Sequence, residues 1–97
     1  MNKTILLTGG IGLLGGHLGH RFLERGDHVI YLAREQRNRS PEERVATVLD
    51  RLGTDTHTGS YEVWHGDVTQ PHLGQSPATL EKLRGRIDEV WHSAAVL

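Results

Sequence analysis

The sequence has no cysteine, only three prolines and one methionine, and few aromatic residues: two tryptophans, two tyrosines and one phenylalanine. Without cysteine the chain can form neither a disulfide framework nor a thiolate zinc site, and it has no cysteine nucleophile. A reducing compartment is the simplest setting for such a chain, so we expect a cytoplasmic protein.

Long apolar runs and an excess of one charge are also missing. The apolar run Ile5–Leu7 is too short for the core of a signal peptide, and no segment approaches the roughly 20 apolar residues of a membrane span. Eleven basic residues are balanced by 12 acidic ones, giving a net charge of −1, so we expect neither nucleic acid nor a membrane as partner. His17 and His20 share a helix face, but Glu24 is their one candidate carboxylate partner, so we predict no metal site.

The chain does contain a regular alternation of apolar runs and helical patterns. Four segments predict strands, at residues 4–7, 29–32, 61–65 and 88–92, and the first two are short apolar runs typical of buried strands. Three further segments predict helices, at residues from the glycine-rich turn to about 25, at 41–52 and at 77–84. This alternation implies an α/β fold with a parallel sheet between two helical layers, Rossmann-like, with strand order 3-2-1-4.

Two of the helices have clear positional signals. Leu14, Leu18 and Phe22 recur every four residues in the first helix, so we expect them to face the core. Gly26 fits the left-handed position that follows a helix end. The second helix begins at Ser40–Glu43, whose Ser-Pro-Glu-Glu sequence is typical of a capping box.

The strongest motif is the glycine-rich segment between the first strand and the first helix. Gly9, Gly12 and Gly15 have the spacing G-x-x-G-x-x-G. Gly9 allows a sharp turn, Gly12 lets a pyrophosphate approach the backbone, and Gly15 lets the helix pack closely on the sheet. The helix then offers free N–H groups and its positive dipole end to the phosphates. The predicted phosphate-binding residues are Thr8, Gly9, Gly10, Ile11, Gly12, Leu13, Leu14 and Gly15.

Two alternatives stay open at this turn. The glycines could serve a tight strand-to-helix connection that binds nothing, although the strand–turn–helix context favours phosphate binding. Thr8 is either a hydroxyl beside the phosphates or a threonine that only ends the strand.

The end of the second strand indicates which dinucleotide binds. Domains that bind NAD have a carboxylate roughly 20 residues after the glycine turn, whereas this position holds Arg34. A guanidinium suits the 2′-phosphate of NADP, and Glu35 beside it leaves a mixed preference open. Arg37 and Arg39 are interpreted as solvated loop charges, and Arg44, by spacing alone, as an exposed helix charge.

Two later segments belong to the same sheet edge. Asp67 follows the third strand, where it could accept a hydrogen bond from an adenine amino group beside the apolar Val68, or could simply form the turn. Ser93, Ala94 and Ala95 follow the fourth strand, where small side chains leave room for a ribose and a nicotinamide.

Together these motifs resemble the extended short-chain dehydrogenase/reductase superfamily. Within it, the chain is most similar to the thioester reductase domains, which include terminal domains of carboxylic acid reductases and some peptide synthetases, and to the related fatty acyl reductases. The matching segments span nearly the whole chain and are residues 6–15, 31–34, 66–74 and 90–96. The Gly-Asp-Val…Pro-x-Leu-Gly pattern in 66–74 separates this branch from the nucleotide-sugar epimerases.

The resemblance implies a cofactor, a reaction and a partner. NADPH would be bound by the glycine turn, Arg34 and Arg44, with adenine contacts at Asp67 and Val68 and nicotinamide-side contacts at Ser93–Ala95. The implied reaction is hydride transfer to an acyl thioester on an acyl or peptidyl carrier domain. It releases an aldehyde or, after a second reduction, an alcohol.

The family's Tyr-x-x-x-Lys pair is missing, because Tyr31 and Tyr61 are followed four residues later by Glu35 and His65. We therefore predict no catalytic residue and expect residues 1–97 to be an amino-terminal cofactor-binding half that is inactive by itself. A nucleotide-sugar epimerase or dehydratase, and a non-catalytic NADP-sensing or interaction module, are the alternatives. The unpaired edge of the fourth strand predicts a homo-oligomer.

Overall fold

The computed structural model describes residues 2–67 and 69–93. Its elements follow one another as β1 (Thr4–Thr8), α1 (Leu13–Glu24), β2 (His28–Ala33), α2 (Pro41–Arg51), β3 (Ser60–His65), α3 (Pro77–Arg84) and β4 (Glu89–His92). A short 3₁₀ turn, Pro71–Gly74, precedes α3. All strand pairs are parallel and lie in the order β3-β2-β1-β4. The predicted Rossmann-like α/β fold and strand order are confirmed.

The sheet has a hydrophobic core on each face because successive strand residues point to opposite sides. On the face covered by α1 and α2 the buried residues are Ile5, Leu7, Phe22, Leu23, Val29, Tyr31, Val45 and Leu49. On the opposite face they are Leu6, Ile30, Leu32 and, from α3, Leu83. Burial on both faces explains why β1 and β2 read as continuous apolar runs.

Glycine forms much of the buried side of α1. The buried residues of this helix are Gly15, Gly16, Gly19, Phe22 and Leu23. Leu14 is 65% exposed, so the expectation that it faces the core is wrong. The reason is the ring of Tyr31 on β2, because a Cβ at Gly19 would lie only 2.2 Å from the Tyr31 hydroxyl. The helix therefore turns its glycines toward the sheet, and Leu14 is left outside.

The ends of α1 and α2 follow the sequence signals. The Ser40 hydroxyl oxygen accepts a hydrogen bond from the Glu43 N–H at 3.1 Å, which confirms the predicted start of α2. Gly26 after α1 has a φ of 93°, and Gly53 after α2 has a φ of 64°. Both angles lie in the left-handed region that glycine enters at little cost, so these residues stop the helices cleanly.

Strands β3 and β4 form the two edges of the sheet. On β4, Val90 is 52% and Trp91 is 42% exposed, although the Trp91 ring contacts Phe22 with 5.5 Å between ring centroids. Among the helices within 2–67 and 69–93, none is long and apolar enough to cross a membrane.

Candidate dinucleotide site

The carboxyl ends of β1, β2 and β3 border a cleft of about 340 Å³. Open α/β sheets bind ligands at this edge, beside the first strand-to-helix turn. The cleft is lined by Gly9, Gly10, Ile11, Gly12, Leu32, Ala33, Arg34, Arg44, Gly66 and Asp67. The fold thus brings the middle of the predicted glycine turn together with the predicted residues Arg34, Arg44 and Asp67.

Gly9 bends the chain sharply out of β1. Its φ is 71°, and its carbonyl oxygen accepts the Gly12 N–H at 3.1 Å. Gly12 is the N-cap of α1 and makes no side-chain cap hydrogen bond. The first N–H groups of a helix have no partner within the helix, so this end of α1 suits an anionic ligand.

The glycines of the turn have different reasons to be glycine. A Cβ at Gly15 would lie 1.9 Å from the Gly9 carbonyl oxygen, and a Cβ at Gly10 would lie 2.5 Å from Cδ1 of Tyr31. A Cβ at Gly12 would have its nearest neighbour at 3.5 Å, again the Gly9 carbonyl oxygen. The chain's own packing therefore requires Gly10 and Gly15, whereas a Cβ at Gly12 would make only an ordinary van der Waals contact.

Tyr31 lies beneath this turn, and sequence reasoning did not assign it to the site. It is 1% exposed, and its ring packs edge-on against Tyr61 with centroids 5.9 Å apart. Its hydroxyl has no hydrogen-bond partner among the residues that the structure describes, and burial raises the pKa of the Tyr31 phenol. Gly10 and Gly19 were the sequence signal that could have identified Tyr31, since its large ring on the neighbouring strand fills the space that these glycines leave.

Arg34 and Arg44 are connected at the end of β2. Nη1 of Arg44 donates to the carbonyl oxygen of Arg34 at 2.7 Å, which ties the first turn of α2 to the strand end. Nη1 of Arg34 lies 3.7 Å from Oδ2 of Asp67, and the Arg34 side chain is 64% exposed. Arg44 thus lines the cleft while its hydrogen bond stays exposed, in line with its spacing, and its contact with a phosphate stays a prediction. Arg37 and Arg39 are exposed on the loop, as predicted.

Asp67 forms its turn and also lines the cleft. Oδ1 accepts hydrogen bonds from the Thr69 N–H at 2.9 Å and the Thr69 hydroxyl at 2.7 Å. These bonds, the hydroxyl first, hold the pKa of Asp67 below its usual range. The Asp67 N–H donates to the Leu73 carbonyl at 3.0 Å. The turn-forming role is confirmed, and the adenine contact stays a prediction.

Thr8 and Ser93 are joined at the ends of β1 and β4. Thr8 is fully buried, and its hydroxyl shares a hydrogen bond of 2.9 Å with Nδ1 of His92. The Ser93 hydroxyl donates to the Thr8 carbonyl at 2.6 Å. Contacts of these two residues with a cofactor stay predictions.

The other predicted residues lie on the rim or beyond the described chain. Leu13 is 84% exposed beside Leu14 at the start of α1. The predicted residues that lie outside the described part are Val68, Ala94 and Ala95. Leu32, Ala33 and Gly66 line the cleft without having been predicted. Their position directly before Arg34 and Asp67 was the signal that could have identified them.

Of the two histidines in α1, His20 has local partners. Nε2 of His20 lies 3.1 Å from Oε1 of Glu24, and its Nδ1 lies 2.7 Å from the Thr54 hydroxyl. Within 2–67 and 69–93 there is no group of three or more histidine, aspartate or glutamate side chains that could hold a metal ion.

Comparison with known protein families gives a match over most of the chain. The model described as Male sterility protein, an NAD-binding model, matches residues 7–97. The nonribosomal peptide synthetase-like enzyme fsqF of Aspergillus fumigatus is 34% identical over 96% of this chain, which corresponds to 7% of its own length. The putative fatty acyl-CoA reductase CG8303 of Drosophila melanogaster is 31% identical over 99% of this chain and 19% of its own length.

Solved structures show the same similarity. The terminal R domain of the myxalamid PKS-NRPS pathway has a TM-score of 0.82 at 27% identity, over 99% of this chain and 25% of its own. The reductase domain of a Mycobacterium tuberculosis nonribosomal peptide synthetase has a TM-score of 0.81 at 27% identity, over 100% of this chain and 25% of its own. A thiolation-reductase di-domain from an archaeal nonribosomal peptide synthetase has a TM-score of 0.73 at 25% identity, over 100% of this chain and 26% of its own. The chain therefore spans about a quarter of these structures and less than a fifth of the two curated relatives.

Proposed function

Since this chain belongs to the Male sterility protein family of NAD(P)-binding domains, we propose that it is the NADP(H)-binding part of a reductase acting on acyl thioesters. The observation that carries the proposal is the pair of arginines at the end of β2. Arg34 and Arg44 are connected by a 2.7 Å hydrogen bond beside the glycine turn. Two guanidinium groups at this position complement a ribose 2′-phosphate, which distinguishes NADP from NAD.

The rest of the cleft supports the same ligand. The space beside Gly12 and the free N–H groups at the start of α1 suit a pyrophosphate. Asp67 uses Oδ1 within its turn and has Oδ2 on the side of Arg34, which supports a contact between this second oxygen and the adenine amino group. When bound, NADPH would supply the hydride. The share of this chain is to bind and orient the dinucleotide along the strand ends.

A carrier domain is the partner that the similar synthetases and reductase domains favour for this function. Among the similar proteins, one structure joins a thiolation domain to a reductase domain, and one relative is a nonribosomal peptide synthetase-like enzyme. We propose that the acyl group is presented as a thioester on such a carrier and released as an aldehyde or alcohol. Reductases among the similar proteins favour this function over a sugar epimerase or dehydratase.

A binding titration with one substitution tests the cofactor assignment. The 97-residue chain is titrated with NADPH and with NADH, and tryptophan fluorescence reports binding. We expect NADPH to bind at least about tenfold more tightly, since a hydrogen bond to a charged group contributes about 1.5–3 kcal/mol. Arg34→Ala should weaken NADPH binding by about tenfold and NADH binding much less.

The matched control is Arg84→Ala, because Arg84 is an exposed arginine on α3 whose nearest carboxylate, in Glu81, is 3.8 Å away. This variant should leave both affinities unchanged. Equal losses of NADPH and NADH binding in Arg34→Ala would show that Arg34 does not contact a 2′-phosphate.

A further inference from the structure

We propose that the end of β4, His92–Ser93, is a positioning element that holds the phosphate-binding turn in its binding shape through Thr8. That the ligand is NADPH rests on the proposed function, whereas the hydrogen bonds between β4 and Thr8 are independent of it. β4 lies beside β1, with Thr8 paired in register with His92. The last residues of β4 are therefore next to the point where the chain leaves β1 for the turn.

The Thr8 peptide is held from two directions by these two residues. The carbonyl oxygen of Thr8 accepts hydrogen bonds from the Ser93 N–H at 3.1 Å and from the Ser93 hydroxyl at 2.6 Å. The Thr8 hydroxyl shares its 2.9 Å hydrogen bond with Nδ1 of His92. Thr8 is completely buried, so its own two polar groups are shielded from water, while His92 is exposed and Ser93 is partly exposed.

Fixing the Thr8 carbonyl also fixes the chain that follows it. A peptide unit is planar, so the orientation of this carbonyl sets the plane that leads into Gly9. Gly9 then adopts its φ of 71° and accepts the Gly12 N–H at 3.1 Å. The direction of the turn is therefore determined at Thr8, before the residues that face the ligand.

Ser93 also contacts the start of α1. A Cβ at Gly15 would lie 2.4 Å from the Ser93 hydroxyl oxygen and 1.9 Å from the Gly9 carbonyl oxygen. The end of β4, the turn and the first helical turn of α1 thus meet at one point. A serine hydroxyl has one hydrogen to donate, and Ser93 donates it to Thr8. Its role toward a cofactor is to position the turn rather than to donate to the ligand.

Removal of the Ser93 hydroxyl tests the inference in the 97-residue chain. In Ser93→Ala we expect the amides of Gly9, Gly10 and Gly12 to exchange hydrogen faster, while the Val29 amide in the centre of the sheet keeps its rate. NADPH binding should weaken about fivefold, the effect of losing one hydrogen bond. The control is Ser60→Ala, since the Ser60 hydroxyl lies 2.6 Å from Nδ1 of His28 at the other end of the strands. It should change neither measurement.

The exchange measurement needs no ligand, so the two proposals fail separately. If the unsubstituted chain binds neither NADPH nor NADH, the proposed function is wrong, and exchange at the turn still decides the role of Ser93. Unchanged exchange at Gly9–Gly12, or equal acceleration throughout the sheet, would overturn the inference. If Ser93→Ala does not fold, Thr8→Val is measured in the same way, because it removes only the hydroxyl that bonds His92.

Discussion

At the scale of single residues, the glycine turn shows that one motif can combine two physical requirements. Gly10 and Gly15 are glycine because Tyr31 and the Gly9 carbonyl occupy the space that a side chain would need. Gly12 has no such neighbour. Because internal packing does not require this glycine at the helix N-terminus, we predict that a ligand takes the space.

Alanine substitution should separate these two requirements. Gly12→Ala should leave the midpoint of thermal unfolding almost unchanged and weaken NADPH binding at least about tenfold, since its Cβ would enter the space proposed for the pyrophosphate. Gly15→Ala should lower both the midpoint of thermal unfolding and the affinity for NADPH, because its Cβ would lie 1.9 Å from the Gly9 carbonyl oxygen. Thermal unfolding and titration of both variants check this. Normal NADPH binding by a folded Gly12→Ala chain would contradict it.

Tyr31 gives a second prediction at this scale. An unpaired buried hydroxyl costs stability, by about 1–3 kcal/mol for a desolvated polar group. Tyr31→Phe removes that hydroxyl and keeps the ring against Gly10, so we expect the free energy of unfolding to stay equal or to rise by about 1 kcal/mol. Urea denaturation measures the change, with Tyr61→Phe as the control for losing a phenol hydroxyl. A clear loss of stability in Tyr31→Phe would show that the hydroxyl has a partner.

At the scale of secondary-structure elements, Glu62 on β3 connects the strand to the segment between α3 and β4. Arg86 makes two hydrogen bonds to its carboxylate, at 2.9 and 2.8 Å. Trp64 donates to it at 2.6 Å, and Nε2 of His28 lies 2.8 Å from it. These bonds, those from Arg86 first, lower the pKa of Glu62 from 4.5 to about 2.

This lowered pKa predicts how stability depends on pH. A carboxyl whose pKa is lower in the folded state stabilises the fold above pH 4.5, and the contribution is lost as the pH falls toward 2. Glu62→Gln should therefore be less stable than the unsubstituted chain at pH 7, and the two should converge near pH 2. Because the Glu62 side chain is 31% exposed, we expect a difference of only about 1 kcal/mol at pH 7.

Urea denaturation at several pH values measures this effect. Glu81→Gln is the control, since Glu81 is exposed on α3 and its nearest arginine nitrogen lies 3.8 Å away. Its stability should run parallel to that of the unsubstituted chain at every pH. A constant difference between Glu62→Gln and the unsubstituted chain from pH 7 to pH 2 would exclude the linkage.

At the scale of the whole molecule, β4 is the edge through which we expect chains to associate. The described part of the chain pairs β4 with β1 on one side, and Val90 and Trp91 on this strand are 52% and 42% exposed. An edge strand with exposed apolar side chains favours pairing with another chain. Self-association through this edge remains our prediction for the 97-residue chain.

Sedimentation at increasing protein concentration tests the association. We expect the average mass to rise with concentration, and Val90→Lys to reduce that rise, because a charge on an edge strand opposes pairing. Thr79→Lys, on the partly exposed start of α3, is the control for an added charge away from the edge. A monomer that persists across the whole concentration range would contradict the prediction.

Local sequence was sufficient to predict the order of strands and helices, the start of α2 and the glycine turn. These features depend on apolar runs, capping residues and backbone freedom, which neighbouring residues specify. The parallel strand order 3-2-1-4 followed because a strand–helix–strand connection has few acceptable arrangements.

Contacts between distant parts of the chain were needed for the rest. The side of α1 that faces the sheet depends on the Tyr31 ring. The direction of the Arg44 side chain depends on its hydrogen bond to the Arg34 carbonyl. The hydrogen bonds of Thr8 depend on Ser93, which is 85 positions away in the sequence. The four-residue spacing of apolar residues in α1 predicted a buried Leu14. That spacing carries no information about the Tyr31 ring, which occupies the space in front of Gly19. Such pairings form only when the strands are side by side, so no local pattern contains them.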